Sequence, residues 1–413
     1  MVRAVATASL VFCGAVRLAG ALAVNRIRRR ESRAAVAARL LGRTLERLGP
    51  SYVKLGQILA TRRDVLPLEA IVHLERLQDR LRPAPFDGVP ALFRAETGLA
   101  LEDAFTELDP EPLASASIAC VYRGVLRSGE TVAVKVRRPE VARLVALDVR
   151  LIRAAARVAA RLPGLRGLPL LAAVDEFDAC LLRQIDLRIE AEACRRVRAA
   201  LTDHADVVVP AVVERLSTES FLVTELLPLA KAESRSALLA ALRALYEMIF
   251  VDGFVHCDLH GGNLYLLDDG RAAIVDFGFV AELPEEVRRR FAEFFLGIAL
   301  NDGARCARIT LETAAFVPDD LPYARFEADL SQLVARASAA AVADFSVAGF
   351  VLGLFELQRR YRIVGTSAFT MAIVALLVFE GIANEVAGDV DFKQEAVPFV
   401  LRALEDGAAT RAA

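Results

Sequence analysis

The sequence predicts an α+β chain made of a small, mixed β-rich lobe and a large helical lobe, preceded by a helical extension. Three observations carry that prediction. The chain has 413 residues, 55% of them hydrophobic and 25% charged, which is too long for one ordinary core and too apolar for disorder. Two short Val-rich runs, Ser117 to Leu126 and Thr131 to Val136, flank Arg127-Ser128-Gly129-Glu130 as the arms of a β-hairpin. Long segments on either side of this region place apolar residues at helical spacings of three and four.

Residues 4–24 are apolar except for Arg17, and Arg26, Arg28, Arg29 and Arg30 follow at once. This pattern suits an interfacial or poorly spanning helix with a basic collar. A cleaved signal peptide fits less well, because Arg17 interrupts the apolar region and the positive charge comes mainly after it. An amphipathic helix docked on the protein itself is the alternative. From Arg33 to Glu107 the spacing of Leu68, Ile71, Leu74, Leu77 and Leu81 predicts helix with almost no strand. Sheet character begins near Leu113. After the hairpin a helical tract runs from Pro139 to about Leu201, broken at Pro163-Gly164 and Gly167-Leu168-Pro169. Val207 to Val209 and Ser220 to Leu226 predict the last strands of this sheet, closing it around Glu225.

Helix resumes from Lys231 to Phe250 and gives way to a polar loop, Asp252 to Asn263. Leu264 to Leu267 and Ala272 to Val275 then flank the turn Asp268-Asp269-Gly270, and everything beyond Gly278 is predicted to be helical. Within that region Ile363 to Phe379 is free of charge, but its length is at the lower limit of the roughly 17–25 residues a span needs, so it predicts a buried helix. The expected division is residues 1–31 as an apolar and basic segment, 32–110 as the helical extension, 111–228 as the small lobe and 229–413 as the helical lobe.

Acidic and basic residues nearly cancel, 53 against 51 with a formal net charge of −2. The chain therefore lacks the electrostatic footprint of a nucleic-acid-binding protein. Six cysteines without a Cys-x-x-Cys pair, beside four histidines, argue against a disulfide framework or a structural zinc site and for a reducing, cytoplasmic compartment.

The chemistry concentrates at Asp258, Asn263 and Asp276. Moving a nucleotide γ-phosphate requires oxygen ligands that hold Mg²⁺ against the phosphates and a carboxylate that orients the attacking group. An Asp, an Asn five residues later and an Asp before Phe277-Gly278, set across a short hairpin, supply both. Upstream, Val132-Ala133-Val134-Lys135 alternates as a strand, and its lysine can bind α and β phosphates if a helical carboxylate fixes the ammonium; Glu190 is the candidate. Small side chains at Ala114-Ser115-Ala116-Ser117 would let backbone N–H groups approach phosphates as a glycine loop does. His256 and His260 flank Asp258; His256 is read as a residue that orients the loop through backbone hydrogen bonds. Cys257 beside two carboxylates is a poor candidate for a thiolate nucleophile.

These residues resemble the UbiB/AarF/ADCK family of atypical protein-kinase-like proteins, over about Leu45 to Phe392. Lys54-Leu55-Gly56-Gln57 is similar to that family's Lys-x-Gly-Gln element. His256-Cys257-Asp258-Leu259-His260-Gly261-Gly262-Asn263 is similar to its catalytic loop, and Ala114 to Ile118 to its alanine-rich replacement for the glycine loop. The resemblance implies a two-lobed protein-kinase-like fold whose Lys54/Gln57 helix lies across the active site and obstructs protein substrates. It further implies Asp258 as catalytic aspartate, Asn263 and Asp276 as Mg²⁺ ligands, and Lys135 paired with Glu190. Thr224, Glu225 and Leu226 become the adenine-facing hinge, with ATP and Mg²⁺ as cofactors.

The family's Glu-x-Asp motif here reads Gln184-Ile185-Asp186. Gln184 keeps the size of Glu but loses the charge that would pair with Lys54. The expected function is an atypical kinase or ATPase that supports ubiquinone or other isoprenoid-lipid metabolism, with an isoprenoid quinone precursor or lipid as partner and peripheral contact at the inner face of a membrane. A pseudokinase scaffold that binds nucleotide and membrane without turnover is the first alternative. A small-molecule kinase of the aminoglycoside or choline type is the second, and the Lys54-Gly56-Gln57 element argues against it.

Overall fold

The structure is a computed structural model and describes residues 33–48, 52–53, 56, 71, 73–74, 85–116, 118–161, 170–229, 232–339 and 346–412. Residues 4–24, Lys54, Gln57 and Ser117 lie outside the described residues. In chain order come helices α1 (Arg33–Leu48) and α2 (Val89–Thr97), then strands β1 (Phe105–Leu108), β2 (Ala114–Ser115), β3 (Ala119–Leu126) and β4 (Thr131–Arg137). Helices α3 (Val141–Ala159), α4 (Leu170–Ile185) and α5 (Leu187–Ala200) follow, then β5 (Val207–Val208) and β6 (Phe221–Glu225). Helix α6 (Arg235–Tyr246) precedes β7 (Phe254–His256), β8 (Leu264–Leu266), β9 (Ala272–Ile274) and β10 (Val280–Glu282). The rest is α7 (Glu285–Ala299), α8 (Gly303–Glu312), β11 (Ala314–Phe316), α9 (Tyr323–Ala339), α10 (Val347–Arg360), β12 (Val364–Gly365), α11 (Ser367–Val386) and α12 (Phe392–Ala412).

Two compact units divide the chain, Met1–Glu192 with Val212–Leu226 and Ala193–Ala211 with Leu227–Ala413. The first holds an antiparallel sheet of order β1-β3-β4-β6, with β2 paired to β3. Strand β4 alternates strictly: Val132, Val134 and Val136 are buried, so Lys135 stands on the other face. The buried face packs with Tyr122, Phe221 and Val223 under α2, whose Phe93 meets the rings of Phe105 at 5.7 Å and Phe221 at 5.2 Å. Gly98, at φ 74°, ends α2 in the left-handed conformation that favours glycine. A second cluster joins Ile118 to two helical stripes at spacing four, Val141, Val145 and Val149 of α3 and Phe177, Leu181 and Ile185 of α4.

Three expectations need correction. Strand β1 lies inside the segment read as helical, because a four-residue strand with one buried end is too short to register as alternation. Strand β5 does not close the first sheet; it runs parallel to β9 in the second unit, where the Asp206 carbonyl accepts from Ala272 N–H at 2.8 Å. Two residues have no periodicity to read, so only pairing assigns them. Beyond Gly278 the chain is not wholly helical either: β10 pairs with β7, and β11 with β12.

The second unit is built around α6, which is buried on nearly every side from Ala237 to Tyr246 and starts at Ser234, whose hydroxyl accepts from Ala237 N–H. Helix α11 contains the expected apolar stretch from Ser367 onward, whereas the first part of that stretch is not helical: Val364–Gly365 form β12, paired with β11. Among the described residues α11 alone is long and apolar enough to cross a membrane, and 61% of its most apolar window is buried inside the protein. Its Glu380 is buried too, and the carboxylate accepts from the first amides of α10, Val347 N–H at 2.6 Å and Ala348 N–H at 2.5 Å. A helix N-terminus favours a negative charge there, which fixes α11 as a core element.

Glu96 of α2 supplies a test of the first unit. Burial raises its pKa, but hydrogen bonds from Ser220 and Thr218 outweigh that effect and leave it below the ordinary value of 4.5. A depressed carboxyl contributes stability that is present above pH 4.5 and lost as pH falls through the folded-state value. Glu96→Gln is therefore expected to lower the melting temperature at neutral pH, and the gap to the parent should close below pH 4.5 in a pH series of thermal melts.

Candidate active site

In the first unit, register brings lysine and glutamate together. Lys135 lies opposite Leu222 in the β4–β6 ladder, and Leu222 packs against Leu187 and Ala191 of α5. Glu190 is one helical turn from Leu187, so the contact that seats the helix on Leu222 also carries Glu190 over Lys135. Lys135 Nζ lies 2.7 Å from Glu190 Oε1 and 2.9 Å from Oε2, with the two side chains 18% and 5% exposed.

The alanine-rich segment is held against the same sheet. Ala114 and Ser115 pair with Val121 and Cys120, and Ala116 N–H donates to the Ala119 carbonyl at 2.9 Å. Ile118 is anchored in the α3–α4 cluster. Arg138, which sequence reasoning missed, grips the segment: Nε donates to the Ala116 carbonyl at 3.0 Å and Nη2 to Ser115 Oγ at 2.8 Å. Its backbone N–H donates to the Ile118 carbonyl at 2.9 Å. The available signal was the Arg137-Arg138 pair at the end of the lysine strand.

Of the expected hinge residues, Thr224 and Glu225 end β6, opposite Ala133 and Val132. Leu226 follows directly, its N–H donating to the Thr131 carbonyl at 3.1 Å. Gly56 is helical and buried, beside Lys54 and Gln57, which lie outside the described residues. Gln184 sits on α4 with a buried Oε1 that has no hydrogen-bond partner among the described residues. Asp186 is engaged by Arg188, whose Nη2 donates at 2.7 Å and Nε at 2.9 Å; these bonds hold the Asp186 carboxyl below its usual range.

In the second unit a single imidazole organises the polar loop. His256 ends β7 and is fully buried. Asp258 N–H donates to its Nδ1 at 3.2 Å, so Nε2 carries the proton and donates to the Asp276 carbonyl at 2.8 Å. Burial pushes the His256 pKa down against the charges of Asp258 and Asp276, keeping the ring neutral. The hydrogen-bonding role expected for His256 is thus the one its geometry supports.

Asn263 Nδ2 donates to the Asp258 carbonyl at 3.0 Å, and Val275 N–H to the Asn263 carbonyl at 2.9 Å. Asp276 adopts a positive φ of 58°, a region that Asp tolerates better than most residues, and its Oδ1 accepts from Gly278 N–H at 3.2 Å. His260 folds back so that Nδ1 accepts from Gly262 N–H at 2.9 Å, with Nε2 at 3.7 Å from Asp258 Oδ2. Cys257 is buried, with Sγ on the Val255 carbonyl, in keeping with a packing role.

The donor set suits a hard cation. With its amide nitrogen committed, Asn263 has its side-chain oxygen to offer, and Asp276 has a carboxylate; oxygen donors in this small number match Mg²⁺, which keeps waters and phosphate oxygens for the rest of its shell. Arg196 is a second residue the sequence reading missed. It stacks over the Phe254 ring at 4.3 Å and pairs with Glu282 at 2.5 Å, tying the two strands β7 and β10 that flank the loop.

Glu190→Gln removes one partner of a largely buried pair and is expected to destabilise the protein by up to about 3 kcal/mol, measured by denaturant unfolding. The double variant Lys135→Met/Glu190→Leu should lose less than that single variant, because it leaves no unpaired charge.

The ABC1 atypical kinase-like domain family matches residues 76–310. The uncharacterized protein slr0889 of Synechocystis is 32% identical over 341 residues, covering 78% of this chain and 83% of that protein. The probable protein kinase UbiB of Aliivibrio fischeri is 31% identical over 375 residues, and that of Vibrio cholerae 32%, each alignment covering 86% of this chain and 68% of the relative. Among solved structures, the complex of Rv3197 with erythromycin from Mycobacterium tuberculosis is similar in fold, with a TM-score of 0.52 at 21% identity, over 81% of this chain and 91% of that one.

Proposed function

The chain belongs to the ABC1 atypical kinase-like family, and we propose that within it the protein binds Mg-ATP and transfers or hydrolyses the γ-phosphate. The observation that carries this reading is the hydrogen-bonded arrangement of Asp258, Asn263 and Asp276 around the neutral His256. Asn263 and Asp276 would hold Mg²⁺, which when bound neutralises phosphate charge. Asp258 accepts a hydrogen bond from the attacking hydroxyl or water and takes its proton. Lys135, its ammonium fixed by Glu190, holds phosphate oxygens as a point charge. The segment Ala114 to Ile118, including Ser115, Ala116 and Ser117, borders the phosphates with its small side chains, the Ala116 amide being kept by the Ala119 carbonyl, and Thr224 and Glu225 border the base.

The acceptor in this reading is an isoprenoid quinone precursor or other lipid, or water in an ATPase. It rests on the resemblance carried by Lys54, Gly56 and Gln57, whereas the UbiB relatives are named as probable protein kinases. Peripheral membrane contact through residues 4–24 and their arginine collar belongs to the same reading. A second reading, a scaffold that binds nucleotide without turnover, draws on Gln184: it replaces an expected carboxylate, and its Oε1 is unpartnered among the described residues.

Thermal melts with ATP, Mg²⁺ or both separate these readings from a fold without nucleotide. A ligand that binds only the native state must raise the melting temperature, so a rise that needs both components and disappears in Asp276→Asn is expected. No rise in the parent would overturn nucleotide binding. Asp258→Asn is then expected to cut ATP consumption by about 100-fold or more while keeping the thermal shift; a parent that shifts but consumes no ATP, with or without added lipid, favours the scaffold. For the membrane, salt-sensitive co-sedimentation with anionic liposomes should be lost on deleting the residues before Glu31.

A further inference from the structure

Helix α3 of the first unit buries Val141, Val145 and Val149 at spacing four and leaves its opposite side to solvent. At 3.6 residues per turn that outer side carries two parallel rows. Arg143, Arg150 and Arg157 form one, at spacing seven; Leu147, Ala154 and Val158 form the other beside it. All six are exposed, Leu147 by 38% and Val158 by 60%. At 1.5 Å per residue the rows run roughly 16–21 Å along the helix.

The charge on this helix is one-sided. It holds four arginines against a single carboxylate, Asp148, which is fully buried, in a chain whose formal net charge is −2. Glu140 stands at the N-cap position, where the positive end of the helix favours its charge. Arg153 turns to α4: its Nη2 donates to Asp175 Oδ1 at 2.6 Å and lies 3.4 Å from Asp178 Oδ2. Arg143, Arg150 and Arg157 form no ion pair among the described residues.

We propose that this face of α3 lies on an anionic phospholipid surface, with the three arginines at the phosphates and Leu147, Ala154 and Val158 at the acyl boundary. A guanidinium matches a phosphate with two parallel N–H···O bonds. A row of cations beside a row of apolar side chains, both running along one helix, is the pattern of a helix in the plane of a bilayer. An acidic protein would have to supply a groove of matching length, whereas a bilayer presents both layers everywhere. The inference deepens the peripheral-membrane reading, and rests on it, by naming an element of the first unit that meets lipid; it uses neither residues 4–24 nor the nucleotide residues. Stable anchoring takes two weak elements, so loss of sedimentation on removing the residues before Glu31 agrees with it.

The chain has no tryptophan, so Val158→Trp, at a position 60% exposed, places the sole indole of the full chain in the apolar row. With vesicles of phosphatidylcholine and phosphatidylglycerol its emission is expected to shift to the blue and to be quenched by lipids brominated on the acyl chain; with pure phosphatidylcholine neither should happen. Arg143→Gln/Arg150→Gln/Arg157→Gln, at exposed side chains, should keep the parent's melting curve and weaken partitioning by about 100-fold, or roughly fivefold per arginine. A chain that sediments with these vesicles while the introduced indole keeps its emission, or whose partitioning the triple variant leaves unchanged, would overturn α3 as the contact and leave residues 4–24 standing. No sedimentation at all would overturn both. An equal shift with soluble polyglutamate would overturn the lipid assignment and make the partner an acidic protein.

Discussion

The polar loop of the second unit depends on one buried, neutral imidazole. His256 accepts from the backbone N–H of Asp258 and donates to the backbone carbonyl of Asp276, so one ring fixes two segments that are eighteen residues apart by counting from 258 to 276. Its neutrality is a condition of that function, because a protonated ring would have two donors and no acceptor for the Asp258 amide. Burial enforces it despite the neighbouring carboxylates. The loop can therefore keep its acidic side chains near the surface while its backbone is pinned from beneath.

The first unit solves a comparable problem through sheet register. Strand alternation puts the three valines of β4 into the core and leaves Lys135 on the opposite face. The cross-strand neighbour, Leu222, then serves as the seat of α5. A one-residue slip would send Lys135 into the valine core and remove the seat, so the ion pair with Glu190 depends on the same register as the hydrophobic core. Arg138 extends this economy by using the residue just past the strand to grip the alanine-rich segment at a carbonyl and a hydroxyl.

The second unit treats its charges differently. Glu380 lies within the most apolar described helix, yet it meets the amides that open α10. Arg196 combines a cation–π contact with an ion pair to hold β7 and β10. In both cases a charge inside or against an apolar element is paired with a fixed dipole or an opposite charge, as burial requires.

The sequence by itself determined the two-lobed α+β class, the β3–β4 hairpin, the buried character of the apolar stretch in α11 and the spacing that groups Asp258 with Asn263 and Asp276. Those signals are local: alternation, helical spacing, turn residues and short motifs. It could not place β1 or β5, because strands of four and two residues carry too little pattern and are defined by their partners. Nor could it find Arg138 or Arg196, since arginines are abundant and only the chain's path decides which of them meets a carbonyl, a ring or a carboxylate. The committed amides of Ala116 and Leu226 and the apolar cavity lined by Phe291, Phe294 and Phe350 likewise depend on which groups are brought within a few ångströms of one another. Tertiary structure alone decided them, because hydrogen-bond satisfaction and packing voids are properties of neighbours in space.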